Sequence, residues 1–172
     1  MKKIFKKLLI LFAIIVAIFL IFIAYIFIES HSMYKKAISE ISIKDKFSSI
    51  QGQENFVTID EVPQIFINAI ISVEDRSFYS HKGINVLSIG RAVLKDITTL
   101  SLAEGGSTIT QQIAKNLYFT QEKKFTRKAA EVFVAFDIEK QFSKDEILEI
   151  YINTNFYGSG YYGIYEASMR IL

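Results

Sequence analysis

The sequence of 172 residues contains no cysteine, two histidines and a single proline. The absence of cysteine excludes a disulfide framework and is compatible with an oxidising, extracytoplasmic location. His31 and His81 are too few to form a histidine-rich metal site. With one proline and eight glycines, almost the whole chain is free to form helices. We therefore expect a mainly α-helical protein.

The chain also lacks the strong positive charge of a nucleic-acid-binding protein. Its formal net charge is +2, and the lysines at positions 2, 3, 6 and 7 account for four of its 20 basic residues. The rest of the chain therefore carries 16 basic and 18 acidic side chains. This balance argues against a nucleic-acid partner.

One long apolar run is present, from residue 8 to residue 28, without a single charge. At about 1.5 Å per residue, a helix of this length crosses the hydrocarbon core of a bilayer. The preceding lysines predict that residues 1–7 stay in the cytoplasm and that the chain after the run lies outside. A cleaved signal peptide is the alternative, but the run is longer than the usual apolar region of about 7–15 residues. We interpret 8–28 as an uncleaved signal anchor, 29–56 as a juxtamembrane linker and 57–172 as one domain.

A Gly-Gly-Ser turn at residues 105–107 precedes a predicted helix. Ser107 is a plausible N-cap, and Ile109, Ile113 and Leu117 repeat at helical spacing, which predicts a buried face. The N-terminus of such a helix suits an anion, to which Lys115 could add its charge. The alternative is a capped amphipathic helix with a solvated polar face. A P-loop is excluded because no Gly-Lys-Ser/Thr follows at the required spacing.

A first acidic candidate, Glu74, ends a helix predicted to begin at Pro63. Glu74 continues an apolar stripe through Ile67 and Ile70, so we expect its carboxylate to be partly buried. It is either a general base or acid, or a structural carboxylate paired with Arg76 or Lys82. The apolar face of this helix is predicted from four residues at helical spacing: Phe66, Ala69, Ile70 and Val73.

A second acidic candidate, Glu131, lies in a predicted helix that is apolar nearly all round and therefore deeply buried. A carboxylate there must be paired, protonated or directed into a cleft. Arg127, four residues earlier, is the expected partner. The basic segment from Lys115 to Lys128, which includes Lys123, is either a solvated face or an attraction for pyrophosphate or anionic headgroups.

The last clear helix is predicted to start with a capping box formed by Ser143 and Glu146. An aromatic, glycine-rich loop follows at 153–163. Its rings could either stack on sugars or pack against the protein, and the sequence leaves both open.

Together, these segments resemble the biosynthetic peptidoglycan glycosyltransferases of glycosyltransferase family 51. That family includes monofunctional transglycosylases and the N-terminal domains of class A penicillin-binding proteins. The resemblance covers roughly residues 62–167 and depends on four motifs that occur in the family's order. The motifs are Glu74-Asp75-x-x-Phe78-x-x-His81-x-Gly83; Gly105-Gly106-Ser107-Thr108-Ile109-Thr110-Gln111-Gln112; Arg127-Lys128-x-x-Glu131; and Lys144-x-x-Ile147-Leu148-Glu149-x-Tyr151-x-Asn153.

The resemblance implies a lysozyme-like helical fold on the outer face of a bacterial cell membrane. The implied reaction polymerises lipid II by inverting transfer of the growing glycan from undecaprenyl pyrophosphate to the 4-hydroxyl of N-acetylglucosamine. By position, Glu74 would be the general base and Glu131 would act at the pyrophosphate side. The residues implied to bind substrate are Asp75, Phe78, His81, Ser107, Thr108, Gln111, Gln112, Lys115, Asn116, Arg127, Lys128 and Asn153.

The resemblance implies no required cofactor, although some family members use a divalent cation, so Mg²⁺ or Mn²⁺ stays open. The implied partners are lipid II, the growing glycan strand, the membrane and other cell-wall synthesis or division proteins. The family's Tyr-Phe-Gly segment and later helices do not follow residue 167, so we expect a C-terminally truncated, incomplete domain. Two alternatives remain: a non-catalytic homologue that binds lipid II or a partner, and a lysozyme-like glycan hydrolase.

Overall fold

The structure, a computed structural model, describes residues 2–99, 105–119 and 124–171. These residues form eight α-helices and two short 3₁₀-helices, and the described part contains no β-strand beyond one isolated bridge between Phe156 and Tyr162. The predicted mainly helical fold behind one long apolar helix is therefore confirmed. The α-helices are α1 (Lys2–Glu40), α2 (Ile43–Gln51), α3 (Gln64–Glu74), α4 (Val86–Thr99), α5 (Ile109–Tyr118), α6 (Phe125–Gln141), α7 (Lys144–Thr154) and α8 (Ile164–Ile171).

The apolar run 8–28 lies inside α1, which is long and apolar enough to cross a membrane. Its large apolar side chains are exposed along this stretch, as a surface that faces lipid would require. α1 continues beyond the run to Glu40 without a break.

From the last residues of the apolar run onward, α1 packs along α6 through aromatic rings. The ring of Phe133 lies 5.6 Å from those of Phe27 and His31 and 5.7 Å from that of Tyr34, measured between centroids. The Tyr34 hydroxyl donates a hydrogen bond to the Asp137 carboxylate. Aromatic pairs at such separations add to the stabilisation from buried area. The anchor helix is therefore joined directly to the helix that carries Glu131.

Residues 29–56 were interpreted from the sequence as a linker, but part of this segment packs into the core. α2 begins at its N-cap Ser42, and its residues Ile43, Phe47 and Ile50 are buried in the core. Phe47 stacks on Phe142 with 4.2 Å between ring centroids. Spacings of four and three residues place these apolar side chains on one face, which the core covers.

The centre of the core is formed by α5, α6 and α7. The predicted buried face of α5 is confirmed, because Ile109 and Ile113 are fully buried and Leu117 packs against the core. α7 begins with the predicted capping box, in which Ser143 and Glu146 satisfy each other's backbone N–H groups. This packing fixes the relative positions of the side chains that these three helices carry.

α3 has the predicted bounds but turns a different face to the core. Ile67 is buried and Ile70 and Ile71 pack against the core, whereas Val73 is 79% exposed. Two sets of apolar residues in α3 satisfy helical spacing, so periodicity did not choose between them. The predicted face with Ala69 and Val73 was therefore wrong in part. α4 also carries an exposed apolar side chain, that of Leu87, which is 80% exposed.

Candidate active site

The Gly-Gly-Ser turn leads into α5 through a cap that differs from the expected one. Thr108, rather than Ser107, is the N-cap: its hydroxyl accepts the Gln111 N–H at 3.1 Å, and the Gln111 side chain accepts the Thr108 N–H at 3.1 Å. The Thr108 hydroxyl also donates to the Gly83 carbonyl at 2.7 Å. Thr108 has the extended backbone that an N-cap requires, so the preceding serine is left outside the helix.

The N-terminus of α5 already holds an anionic group of the protein itself. The Asp75 carboxylate accepts the Ile109 N–H at 3.2 Å and lies 2.7 Å from Nε2 of His81. His81 accepts the Gly83 N–H on its other ring nitrogen at 3.2 Å. Asp75 is 6% exposed. The expectation that these first N–H groups would bind a ligand anion is therefore wrong for Ile109, because an internal carboxylate occupies that position.

Glu74 ends α3 with an exposed side chain, contrary to the expected partial burial. Its carboxylate accepts a hydrogen bond from Nε2 of Gln112 at 2.8 Å. Among the described residues it forms no ion pair with Arg76, which donates instead to the Ser72 carbonyl at 3.0 Å. The structural alternative of a Glu74–Arg76 pair is thus not what the fold contains. Glu74 is a carboxylate open to solvent and held by one amide.

Glu131 is fully buried and paired with two cations. Its Oε1 lies 2.7 Å from Nη1 of Arg127, as expected, and its Oε2 lies 2.9 Å from Nζ of Lys128. The Lys128 side chain is 46% exposed and also donates to the Ser107 hydroxyl at 2.6 Å. These are close charge contacts without aligned hydrogen bonds, since neither Glu131 oxygen has a hydrogen-bond partner; the buried carboxylate serves as the counter-charge of both cations. Lys128 therefore connects Glu131 to the Gly-Gly-Ser turn.

A cavity of about 350 Å³ lies between the end of α3, the start of α4 and the Gly-Gly-Ser turn. Glu74 and Ser107 both line it. Lys128 on α6 contacts this lining through its hydrogen bond to the Ser107 hydroxyl. The cavity lining thus contains an open carboxylate, and one of its other residues, Ser107, contacts a paired ammonium group.

Several predicted site residues serve the fold instead of facing this cavity. Phe78 is fully buried, with the Lys144 ammonium 4.4 Å from its ring centroid. The Asn153 amide exchanges two hydrogen bonds with the Val57 backbone, at 2.9 and 2.8 Å, and donates to the Glu149 carbonyl at 2.8 Å. Internal partners therefore use these groups.

Two further predicted site residues remain accessible on α5. Lys115 is half-buried and Asn116 is exposed. They follow Gln112 by three and four residues, so they share its side of the helix. Lys123 of the predicted basic segment lies outside the described residues.

Sequence reasoning missed three residues that line the cavity. Arg76 was considered only as an ion-pair partner, and Arg91 was not singled out, yet both line the cavity together with Ser88. Arg91 donates to the Ser88 hydroxyl at 2.9 Å. Arg91 and Ser88 are one turn apart on α4, which is the only signal in the sequence that could have grouped them.

The aromatic loop contains both packed rings and exposed rings, so the two alternatives predicted for it apply to different residues. The Tyr157 ring lies 6.3 Å from that of Phe66, so it packs against α3. The ring centroids of Phe156 and Tyr162 lie 5.1 Å apart, and the two residues are 51% and 65% exposed.

Among the described residues, no three Asp, Glu or His side chains gather as metal ligands. The candidate carboxylates are instead held by an amide or by cationic side chains.

Known proteins resemble the chain over most of its length. A family model described as Transglycosylase matches residues 40–171. Penicillin-binding protein 1F of Bacillus subtilis (strain 168) is 41% identical over 175 aligned residues, which cover 97% of this chain and 24% of that protein. The Monofunctional glycosyltransferase of Staphylococcus haemolyticus (strain JCSC1435) is 38% identical, covering 97% of this chain and 57% of that protein. Penicillin-binding protein 1A of Neisseria lactamica is 41% identical, covering 80% and 18%.

The chain thus spans between 18% and 57% of the length of these three relatives. The match of the family model begins at residue 40, immediately before α2, and so includes the core residues of that helix. It also includes all four motifs that suggested the family. The chain belongs to the transglycosylase family.

Proposed function

We propose that the chain carries the glycosyl-transfer site of a peptidoglycan glycosyltransferase, which polymerises lipid II during synthesis of the bacterial cell wall. Membership of the transglycosylase family and similarity to a relative named Monofunctional glycosyltransferase support this proposal. The observation that carries it is that Glu74 and Ser107 line one cavity, and that Lys128, which is paired with Glu131, donates to Ser107.

On the acceptor side, Glu74 is the general base. Its exposed carboxylate lines the cavity, where it can take the proton from the 4-hydroxyl of an N-acetylglucosamine unit. The hydroxyl oxygen then forms a bond to the anomeric carbon of the donor glycan while the bond from that carbon to the pyrophosphate oxygen breaks. Attack from the face opposite the leaving group inverts the anomeric configuration.

On the donor side, Lys128 and Arg127 neutralise the departing pyrophosphate. Lys128 is about half exposed, whereas Glu131 is completely buried and its carboxylate is occupied by both cations. We therefore assign Glu131 a positioning role: it holds the two cationic groups where negative charge develops. This refines the expectation that Glu131 acts directly at the pyrophosphate side.

In this proposal, the membrane supplies the substrate near the end of the apolar run of α1. Arg127 shares a second cavity, of about 380 Å³, with Tyr25 and Glu29 of α1. These two residues flank the end of the apolar run 8–28, so the cationic group lies where the headgroups of a bilayer would be. The lysines before the run support an orientation with the N-terminus in the cytoplasm and the site outside. A lipid-linked pyrophosphate fits this position.

Each step of the proposed transfer is assigned to a side chain of the protein, and none is assigned to a divalent cation. Whether the transfer also uses Mg²⁺ or Mn²⁺ is a separate question. Further contacts of the site with the growing strand would use the exposed face of α5 beyond Gln112, where Lys115 and Asn116 lie. Other cell-wall synthesis or division proteins remain candidate partners.

The product separates transfer from hydrolysis. The full chain in detergent is incubated either with fluorescent lipid II or with preformed glycan strands. We expect longer strands from lipid II, sensitive to digestion by a muramidase, and no shortening of the preformed strands. Shortening of the strands would identify a hydrolase. Saturable binding of lipid II without any product from a folded sample would identify a binding protein.

A further inference from the structure

The side chain of Gln112 lies between the exposed Glu74 and a buried phenol. Its Nε2 donates to the Glu74 carboxylate at 2.8 Å, and its Oε1 accepts from the Tyr151 hydroxyl at 3.4 Å. The three residues come from α5, α3 and α7 respectively. Among the described residues, Gln112 is the hydrogen-bond partner that restrains the Glu74 side chain. A chain of polar contacts therefore runs from the core to the proposed base.

Tyr151 is well suited to hold that amide in one orientation. The residue is 2% exposed and its ring belongs to the hydrophobic core. Burial, with a smaller contribution from the negative charge of Glu74, raises the pKa of Tyr151 well above its ordinary value, so the hydroxyl keeps its proton at physiological pH. α7, which carries Tyr151, is fixed at its start by the capping box.

The amide of Gln112 has a donor end, its NH₂ group, and an acceptor end, its oxygen. The contact with Tyr151 therefore affects which end faces Glu74. An ionised carboxylate only accepts hydrogen bonds, so Gln112 must turn its NH₂ group toward Glu74. An amide turned the other way would place its oxygen against the carboxylate. The Tyr151 hydroxyl, which donates to the amide oxygen, favours the productive orientation.

We propose that Tyr151 is a positioning residue for Glu74 and acts through Gln112. This inference depends on the proposed function of Glu74 as the base. Tyr151 is too deeply buried to meet the substrate, and its effect on the reaction passes through one amide. Such an arrangement restricts the carboxylate to the geometry in which it can take the acceptor proton.

The test compares Tyr151→Phe with a matched control, Tyr118→Phe. Tyr118 lies on α5, and its hydroxyl also donates over 3.4 Å, but to the Ile41 carbonyl, away from the site. Both changes remove one phenolic hydroxyl and keep the ring. Each variant is made in the full chain, alone and in a Gln112→Ala background, and the initial rate of lipid II polymerisation is measured against concentration.

We expect Tyr151→Phe to lower kcat by about 3- to 10-fold with little change in KM, because the acceptor and donor contacts remain. In the Gln112→Ala background the same change should have no further effect, since the relay is already broken. Tyr118→Phe should leave kcat within about twofold of the wild type, because its hydroxyl is not coupled to the base. An equal loss of kcat from Tyr151→Phe in both backgrounds would overturn the proposal. So would wild-type kcat in the Tyr151→Phe variant.

A spectroscopic measurement keeps this inference separate from the proposed function. The side-chain NH₂ resonances of Gln112 are assigned in ¹⁵N-labelled protein by comparison with Gln112→Ala. Tyr151→Phe should move these resonances and Tyr118→Phe should not. Inactivity of the wild type with lipid II would count against the proposed function alone. Unmoved Gln112 resonances in Tyr151→Phe would refute the contact itself.

Discussion

Replacing Asn153 by alanine is expected to loosen the segment before α3 without removing a contact to substrate. The Asn153 amide accepts the Val57 N–H, donates to the Val57 carbonyl and donates to the Glu149 carbonyl, all within 2.9 Å. Glu149 in turn accepts the Ile59 N–H at 2.9 Å. One side chain on α7 therefore holds the segment around Val57 in the manner of a neighbouring strand.

The magnitude follows from the three hydrogen bonds. Each contributes about 1 kcal/mol net, and loss of the amide also leaves the half-buried N–H and carbonyl of Val57 without a partner. We expect Asn153→Ala to lower the free energy of unfolding by about 2–4 kcal/mol. For a domain of this size, that corresponds to a fall in Tm of about 10 °C.

The assay is thermal unfolding of the full chain in detergent, followed by circular dichroism, together with hydrogen exchange at the Val57 amide. Asn68→Ala is the matched control, because Asn68 is exposed and accepts a single hydrogen bond from Gln64. Faster exchange at Val57 should accompany the lower Tm of Asn153→Ala, and the control should change neither. An unchanged Tm, or an increased KM for lipid II in a variant that stays fully folded, would refute the structural assignment of Asn153.

Three further predictions follow from the same geometry. Glu131→Gln should lower the free energy of unfolding by about 3–5 kcal/mol, because the buried guanidinium of Arg127 loses its counter-charge. Denaturant titration measures this change, and an unchanged midpoint would contradict the prediction. Gly83→Ala should cost about 1–3 kcal/mol by the same titration, since Gly83 has φ +99° and an added Cβ would lie 3.2 Å from the Ala135 backbone; a neutral result would show that the loop relaxes. Burial, followed by the hydrogen bond to Asp137, raises the pKa of Tyr34 to about 12, and burial also raises that of Tyr118 to about 12. The two tyrosines therefore contribute their full stabilisation of the fold below pH 10 and lose it as the pH rises toward 12. The helicity of the wild type, measured against pH, should fall in this range, and the fall should be smaller in Tyr34→Phe. Identical curves for the two proteins would contradict the assignment.

Much of the fold was predictable because its signals are local. The apolar run of α1, the capping box of α7 and the buried isoleucines of α5 each depend on residues close together in the sequence. The Arg127–Glu131 pair is also one helical turn apart and was expected. Such features do not depend on which other element packs nearby.

The errors concern features that distant residues decide. Ser107 and Thr108 are both good N-caps, and the choice depended on the Gly83 carbonyl, which accepts the Thr108 hydroxyl. Asp75 fills the N-terminus of α5 from 34 positions away in the chain. The buried face of α3 was ambiguous because two apolar sets satisfy the same period. In each case a tertiary partner selected among local options that the sequence left nearly equal.

The candidate site was predictable in its residue types but only partly in their roles. The motifs identified Glu74, which lines the cavity, and Gln112 and Lys128, which contact the lining residues Glu74 and Ser107. The same motifs also contain Phe78, which is buried in the core, and Asn153, which holds the backbone around Val57. A motif records which residues a fold requires and does not separate those that meet the substrate from those that support them.

The most direct test of the central claim compares Glu74→Gln with Glu54→Gln in polymerisation of fluorescent lipid II. Glu54 is exposed and lies away from the site, so the two variants remove the same charge in different places. We predict polymer from the wild type and from Glu54→Gln, and a rate at least about 100-fold lower from Glu74→Gln, because a general base contributes roughly 10²- to 10⁴-fold. Polymerisation by Glu74→Gln at the wild-type rate would contradict the assignment of Glu74 as the base.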